Sequence, residues 1–137
     1  MRGRRIGSEP LTKKKTINAN DSADARVTFD TVRQISLLLD HVEEGTSYGT
    51  AAFKVRGALF VRLHQDLEST IVVRTDFEQR EELLAADPET YYITDHYLNY
   101  PWVLVRLSRV HPDGLRDLLR MAHRLAAASK RGSSRRQ

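Results

Sequence analysis

The chain has 137 residues, 40% of them apolar, with no cysteine and a formal net charge of +4. That is enough to bury one core in one domain, and the missing cysteines exclude disulfides, thiolate zinc sites, iron–sulfur clusters and a cysteine nucleophile. The positive charge belongs to the ends: residues 27–128 hold eleven Lys/Arg against fifteen Asp/Glu, so the body of the chain is acidic and the basic excess lies in residues 1–26 and 129–137.

The first segment, 1–26, is polar, with Arg4-Arg5 and Lys13-Lys14-Lys15, and has too little apolar content to offset the entropy of ordering. It is expected to be a basic disordered tail. It contains no apolar stretch of the kind a secretory leader needs, and apolar runs such as Val103–Val105 fall far short of the roughly 20 residues that span a bilayer. A cytoplasmic protein without a membrane segment is therefore expected. Order begins at Thr28, placed to cap a helix reaching about His41, with Asp30 in its positively polarised first turn. Val32, Ile35, Leu39 and Val42 give that helix one apolar face. After Gly45 the period changes to two: Ala51, Phe53 and Val55 alternate with Ala52, Lys54 and Arg56, and Gly57 supplies a turn. Ala58–Leu63 follows as the second strand, and Thr70–Arg74 as the third after the polar loop His64–Ser69. Asp76 and Gln79 have the spacing of a capping box that opens a helix, which Pro88 closes. Tyr91–Ile93 and Trp102–Leu107 read as two more strands around a loop rich in Tyr, Asp, His and Asn. Pro112 opens the last helix, striped by Leu115, Leu118, Leu119, Ala122, Leu125 and Ala126. The order α-βββ-α-ββ-α predicts an α+β fold, a two-layer domain over 27–128 in which helices cover an antiparallel sheet of about five strands. Residues 129–137 form a second basic disordered tail in this reading.

Five stretches carry a family resemblance: Val42-Glu43-Glu44-Gly45-Thr46-Ser47-Tyr48-Gly49, Ala52-Phe53-Lys54-Val55-Arg56-Gly57, Ala85-Ala86-Asp87-Pro88-Glu89-Thr90, Thr94-Asp95-His96-Tyr97 and Tyr100-Pro101-Trp102-Val103. In this order they resemble the MmcQ/YjbR family from about Thr28 to Ala126. The resemblance implies a fold of the type III secretion chaperone-like kind, with the element order just read. The chain departs from the family pattern twice: Asp40-His41 stands where Pro-Gly is frequent, and His123 stands where an aromatic residue is common. The family is commonly labelled DNA-binding, a label that rests on fold analogy, and it supplies no catalytic residues.

Gly45-Thr46-Ser47-Tyr48-Gly49 spells the hydrolase pattern G-x-S-x-G. That chemistry needs a strand before the serine and a helix after it, whereas a helix before and a strand after are expected here. No enzymatic activity is expected, and no cofactor. The five histidines lack the short spacings that put two imidazoles on one metal, so no metal site is expected. Asp95, His96 and Tyr97 in their aromatic loop, with Tyr48, form a candidate ligand pocket, weighed against a hydrogen-bonded loop anchor. Strand alternation supplies a sharper candidate. If Phe53, Val55, Leu59, Val61, Ile71, Val73, Val103 and Val105 face the helices, then Lys54, Arg56, Arg62, Arg74 and Arg106 share the other face with Phe60, Tyr92 and Trp102. Guanidinium groups mixed with rings suit single-stranded nucleic acid, charges tracking phosphates and rings stacking on bases. The expected role is thus a non-enzymatic, low-specificity DNA- or RNA-binding module using the basic tails and this sheet face, with Trp102 as a stacking residue. The alternatives are a protein-interaction or chaperone-like adaptor and a small-ligand-binding protein.

Overall fold

The computed structural model describes residues 27–67 and 69–136, with side-chain surroundings as far as Ser129. The N-terminal tail expected over 1–26 lies outside them. Elements follow in the order α1 (Phe29–Leu37), β1 (Val42–Ser47), β2 (Thr50–Val55), β3 (Ala58–Leu63), β4 (Thr70–Arg74), α2 (Phe77–Ala86), β5 (Tyr91–Tyr92), a 3-10 turn (Asp95–Tyr97), β6 (Trp102–Arg106) and α3 (Pro112–Arg136). The strands form one sheet of six, ordered β1-β2-β3-β4-β6-β5, with every neighbouring pair antiparallel. The α+β class and the antiparallel sheet are as the sequence predicts, with one strand more than the five expected.

The added strand is β1. Its residues, Val42-Glu43-Glu44-Gly45-Thr46-Ser47, are mostly exposed and show no apolar alternation, so only their pairing with β2 makes them a strand. Helix α1 accordingly stops at Leu37 rather than His41. Leu39 and Val42, which fit the helical stripe, pack on the core from the turn and from β1 instead. The reversal between them places His41 in the left-handed region, at φ 61°, a conformation that a glycine would adopt without strain. The two departures from the family pattern meet here: His123 on α3 reaches the Asp40 carbonyl through Nε2 at 2.8 Å. A carbonyl only accepts, so Nε2 carries the proton.

Two tight hairpins join β1 to β2 and β2 to β3. Tyr48-Gly49 (φ 55° and 79°) and Arg56-Gly57 (φ 51° and 87°) occupy their central positions, the paired positive angles of a type I′ turn. The predicted opening of α2 is found: the Asp76 side chain accepts from the Gln79 amide at 2.7 Å. Helix α3 runs to Arg136, past the Ala128 boundary read from sequence.

Helices α1, α2 and α3 all pack on one face of the sheet, where Phe53, Phe60, Val61, Ile71, Val73, Val103 and Val105 meet Val32, Leu83, Leu115, Leu119 and Ala122. Burial of each large side chain stabilises the fold by about 1.5–3 kcal/mol. One detail of this face corrects the alternation argument. The β2–β3 register shifts between Phe53, opposite Val61, and Lys54, opposite Leu59, leaving Phe60 as an inserted residue. Such a bulge turns two consecutive side chains to one side, so Phe60 joins Val61 on the helical face, with its ring edge-on to His123 at 5.7 Å between centroids. Leu59 is thereby moved to the opposite face. Strict period-two counting had the two reversed.

Candidate functional site

The face away from the helices is crossed only by the segment after β5. Val72 of β4, Leu104 of β6 and the buried Tyr97 form a small second core there, with Tyr92, Ile93 and Trp102 packed against it. Arg80 of α2 holds this segment down. It is 3% exposed, and its guanidinium donates to the carbonyls of Tyr97 (2.8 Å), Leu98 (3.0 Å), Tyr100 (2.6 Å) and Trp102 (3.1 Å). The Phe77 ring covers the guanidinium at 5.0 Å. Arg80 therefore acts as a structural clamp through Nη1 and Nη2, while its Nε is enclosed without a partner.

Between the clamped segment, the β1–β2 turn and the β3–β4 loop lies an open cavity of about 560 Å³, lined by Tyr48, Leu59, Arg62, His64, Gln65, Asp66, Val72, Thr94, His96, Tyr97, Tyr100 and Trp102. Arg62, 5% exposed, is the cation in its wall. Its Nη1 donates to the Leu63 carbonyl (3.2 Å) and to Gln65 Oε1 (2.9 Å), and its Nη2 donates to the Tyr97 hydroxyl (2.8 Å). Tyr48 lies 4.7 Å over the guanidinium. Among the described residues no carboxylate comes within ion-pair distance of Arg62, in contrast to Arg33, Arg109 and Arg116. Arginine keeps its charge at any physiological pH, so a nearly buried positive charge is held here by neutral acceptors and a ring.

The surrounding groups are mainly donors. His64 accepts from the Asp66 and Leu67 amides through Nδ1 (3.0 and 3.2 Å), which places the neutral ring's proton on Nε2. Burial, and secondarily the Arg62 charge, push His64 below its ordinary pKa near 6.5, with Asp66 opposing. The Tyr97 hydroxyl, accepting from Arg62, keeps its own proton to give. Among the described residues Asp66 is the one carboxylate in the lining, and it is exposed.

The two residue sets expected from sequence converge in this cavity. Tyr48, His96 and Tyr97 come from the predicted ligand pocket, and Arg62 and Trp102 from the predicted nucleic-acid face. Asp95, at the exposed start of the 3-10 turn, is not in the lining. The other basic residues lie elsewhere. Arg56 leaves the sheet face for the hairpin turn. Lys54, Arg74 and Arg106 are half-buried on the same face as Arg62. Arg106 stacks 4.0 Å over Tyr92 and donates to the Glu89 carbonyl at 2.9 Å, while Arg74 Nε is enclosed without a partner. His64, Gln65, Asp66 and Thr94 were not anticipated as lining residues. The polarity of the His64–Ser69 loop was the available signal, but sequence does not show that the loop folds back beside Arg62. Gly45 and Ser47 of the G-x-S-x-G pattern lie on β1, and the turn after them leads into β2. A strand precedes the serine, contrary to expectation, yet the helix that a nucleophile elbow needs is replaced by a strand.

The fold with this site is similar to that in the crystal structure of Deinococcus radiodurans protein DR2400, which has a DUF419 domain. The two agree with a TM-score of 0.63 at 26% identity, over 73% of this chain and 78% of that one. No curated protein matches the chain. The family model described as YjbR matches residues 37–125, which takes in every strand, α2 and all residues lining the cavity, and the chain belongs to the YjbR family.

Proposed function

We propose that the domain is a non-enzymatic binding module that captures an anionic ligand in the cavity around Arg62. The observation that carries this reading is a nearly buried arginine in a cavity wall that has, among the described residues, neutral acceptors in place of a carboxylate. Three of its five N–H donors end on those acceptors, which leaves donors for an incoming oxyanion. Charge-assisted bonds made in such a partly desolvated setting are roughly twice as strong as neutral ones. The body of the domain is net acidic, so selection of an anion depends on this local field rather than on overall attraction. Support for a binding role, as opposed to catalysis, comes from His64: its Nδ1 is occupied by backbone amides, and no nucleophile is hydrogen-bonded to it among the described residues.

Calorimetric titration of the full chain with inorganic phosphate and with pyrophosphate tests the reading. Binding that Arg62→Met weakens by about tenfold or more, in a variant whose far-ultraviolet circular dichroism is unchanged, supports it. Failure of either anion to bind at low salt refutes it.

A second reading, low-specificity binding of single-stranded nucleic acid, is favoured by Lys54, Arg74 and Arg106 sharing the sheet face with Arg62 and by the Arg106–Tyr92 stack. It predicts binding that falls steeply with salt. Anisotropy of labelled DNA and RNA over a salt series, with Arg74→Ala and Arg106→Ala, separates it from the pocket reading, since neither residue lines the cavity.

A further inference from the structure

We infer that the ligand of this cavity is a planar aromatic ring joined to an oxyanion, of about mononucleotide size, with the oxyanion on Arg62 and the ring against the wall formed by Trp102 and Tyr100. The inference rests on the anion-binding reading of the same site and supplies the other half of the ligand.

Volume is the first argument. A cavity of about 560 Å³ is far larger than a lone phosphate needs and falls within the roughly 300–1,000 Å³ of small-molecule sites. The walls are the second. Tyr48 and Tyr100 are 76% and 56% exposed at the cavity mouth, so both rings present stacking surface to solvent. His96 lies edge-on to Tyr97 at 4.8 Å and tilted against Tyr100 at 6.4 Å, which fixes the wall as a cluster of rings. Leu59 and Val72 supply apolar surface. Aromatic faces beside apolar surface accept a flat ring, and stacking of this kind tolerates different rings.

Tyr48 is the third argument. It holds the left-handed conformation at φ 55°, which is costly for a residue with a Cβ, and little burial holds it there. The strain keeps a ring over the Arg62 guanidinium, 4.7 Å away. With one face of the guanidinium covered by Tyr48, an oxyanion approaches its free N–H groups in plane, and the attached ring extends toward Trp102.

Trp102 is the chain's single tryptophan, so its fluorescence reports on this wall alone. The test titrates the full chain with AMP, UMP, ribose 5-phosphate, inorganic phosphate and adenosine, read by Trp102 fluorescence and calorimetry. AMP or UMP should bind about tenfold or more tighter than ribose 5-phosphate, the size expected of one stacked ring, and should change Trp102 emission. Tyr100→Ala, at an exposed position, should weaken the mononucleotide about fivefold or more and leave ribose 5-phosphate within about twofold. Equal binding of phosphate and mononucleotide overturns the aromatic half and leaves anion binding standing. Adenosine binding as tightly as AMP overturns the role of the oxyanion, and no binding by any of the five overturns both. A single-stranded oligonucleotide binding tenfold tighter than AMP overturns the small-ligand inference in favour of nucleic acid.

Discussion

Replacing Arg80 with alanine should cost about 2–5 kcal/mol and abolish ligand capture before it abolishes the fold. The magnitude follows from the four carbonyls that the guanidinium binds. The bond to the Tyr97 carbonyl is buried, and those to Leu98, Tyr100 and Trp102 are only partly so. Losing the partner of a buried acceptor costs about 1–3 kcal/mol. Water entering the space left by the side chain recovers most of the other three, leaving about 0.5–1 kcal/mol apiece, the size of an ordinary net hydrogen bond. Release of the desolvated charge offsets part of the total. Arg80→Lys keeps the charge but not the planar fork, and should cost about half as much. Urea unfolding, followed by circular dichroism and by Trp102 fluorescence, measures both variants. Because Arg80 clamps the segment carrying Tyr97, Tyr100 and Trp102, the fluorescence transition of Arg80→Ala should precede the dichroism transition. A loss under about 1 kcal/mol with coincident transitions would refute the clamp.

Three further outcomes are expected. Tyr48→Asn suits the first position of a type I′ turn and should stabilise the domain by about 0.5–1 kcal/mol in urea unfolding while weakening ligand binding; a destabilised variant would mean that Tyr48 is held for packing instead. Phe60→Ala should cost about 3–5 kcal/mol and Leu59→Ala under about 1.5 kcal/mol, because the bulge assigns Phe60 to the core and Leu59 to the cavity; equal losses would contradict that assignment. His64 has a folded-state pKa below its unfolded value near 6.5, so as pH falls below that value the unfolded chain takes up the proton first. Stability from this residue is then complete above the unfolded pKa and falls as pH drops toward the folded one. His64→Asn, whose carbonyl can replace Nδ1 as the acceptor, should flatten this part of the stability profile, as thermal unfolding between about pH 5 and pH 8 will show.

Local chemistry made much of the fold legible. The Asp76 cap, Pro88, Pro112 and the leucine stripe of α3 each act over a few residues, and each marks an element where the structure has one. Strand β1 was hidden because an exposed edge strand needs no apolar alternation. The Phe60 bulge was hidden because an inserted residue leaves the composition of a strand unchanged and alters only its register with a neighbour. Those limits carried over to the site. Tyr48, His96 and Tyr97 were legible as one group and Arg62 with Trp102 as another, yet their convergence depends on strand register and on the Arg80 clamp. Both act between residues far apart in sequence. Arg56 shows the same limit in reverse: it alternates correctly along β2, and the turn then carries it off the sheet face.

The place of α3 after every strand has a kinetic consequence. Leu115, Leu119, Ala122 and Ala126 are fully buried against a sheet whose strands are all made earlier. During synthesis at about 5–20 residues per second, Phe60, Val61 and Ile71 therefore remain incompletely covered until the segment after Pro112 arrives, whereas Phe53 already has Phe29 of α1 stacked on it. The hairpins form from near neighbours and fast local closure, but until α3 docks they are a sheet whose apolar face α1 and α2 cover only in part. Nascent or truncated chains ending before α3 should for that reason be the species that aggregates or engages chaperones, and a chain that includes α3 should fold cooperatively when that helix closes the core.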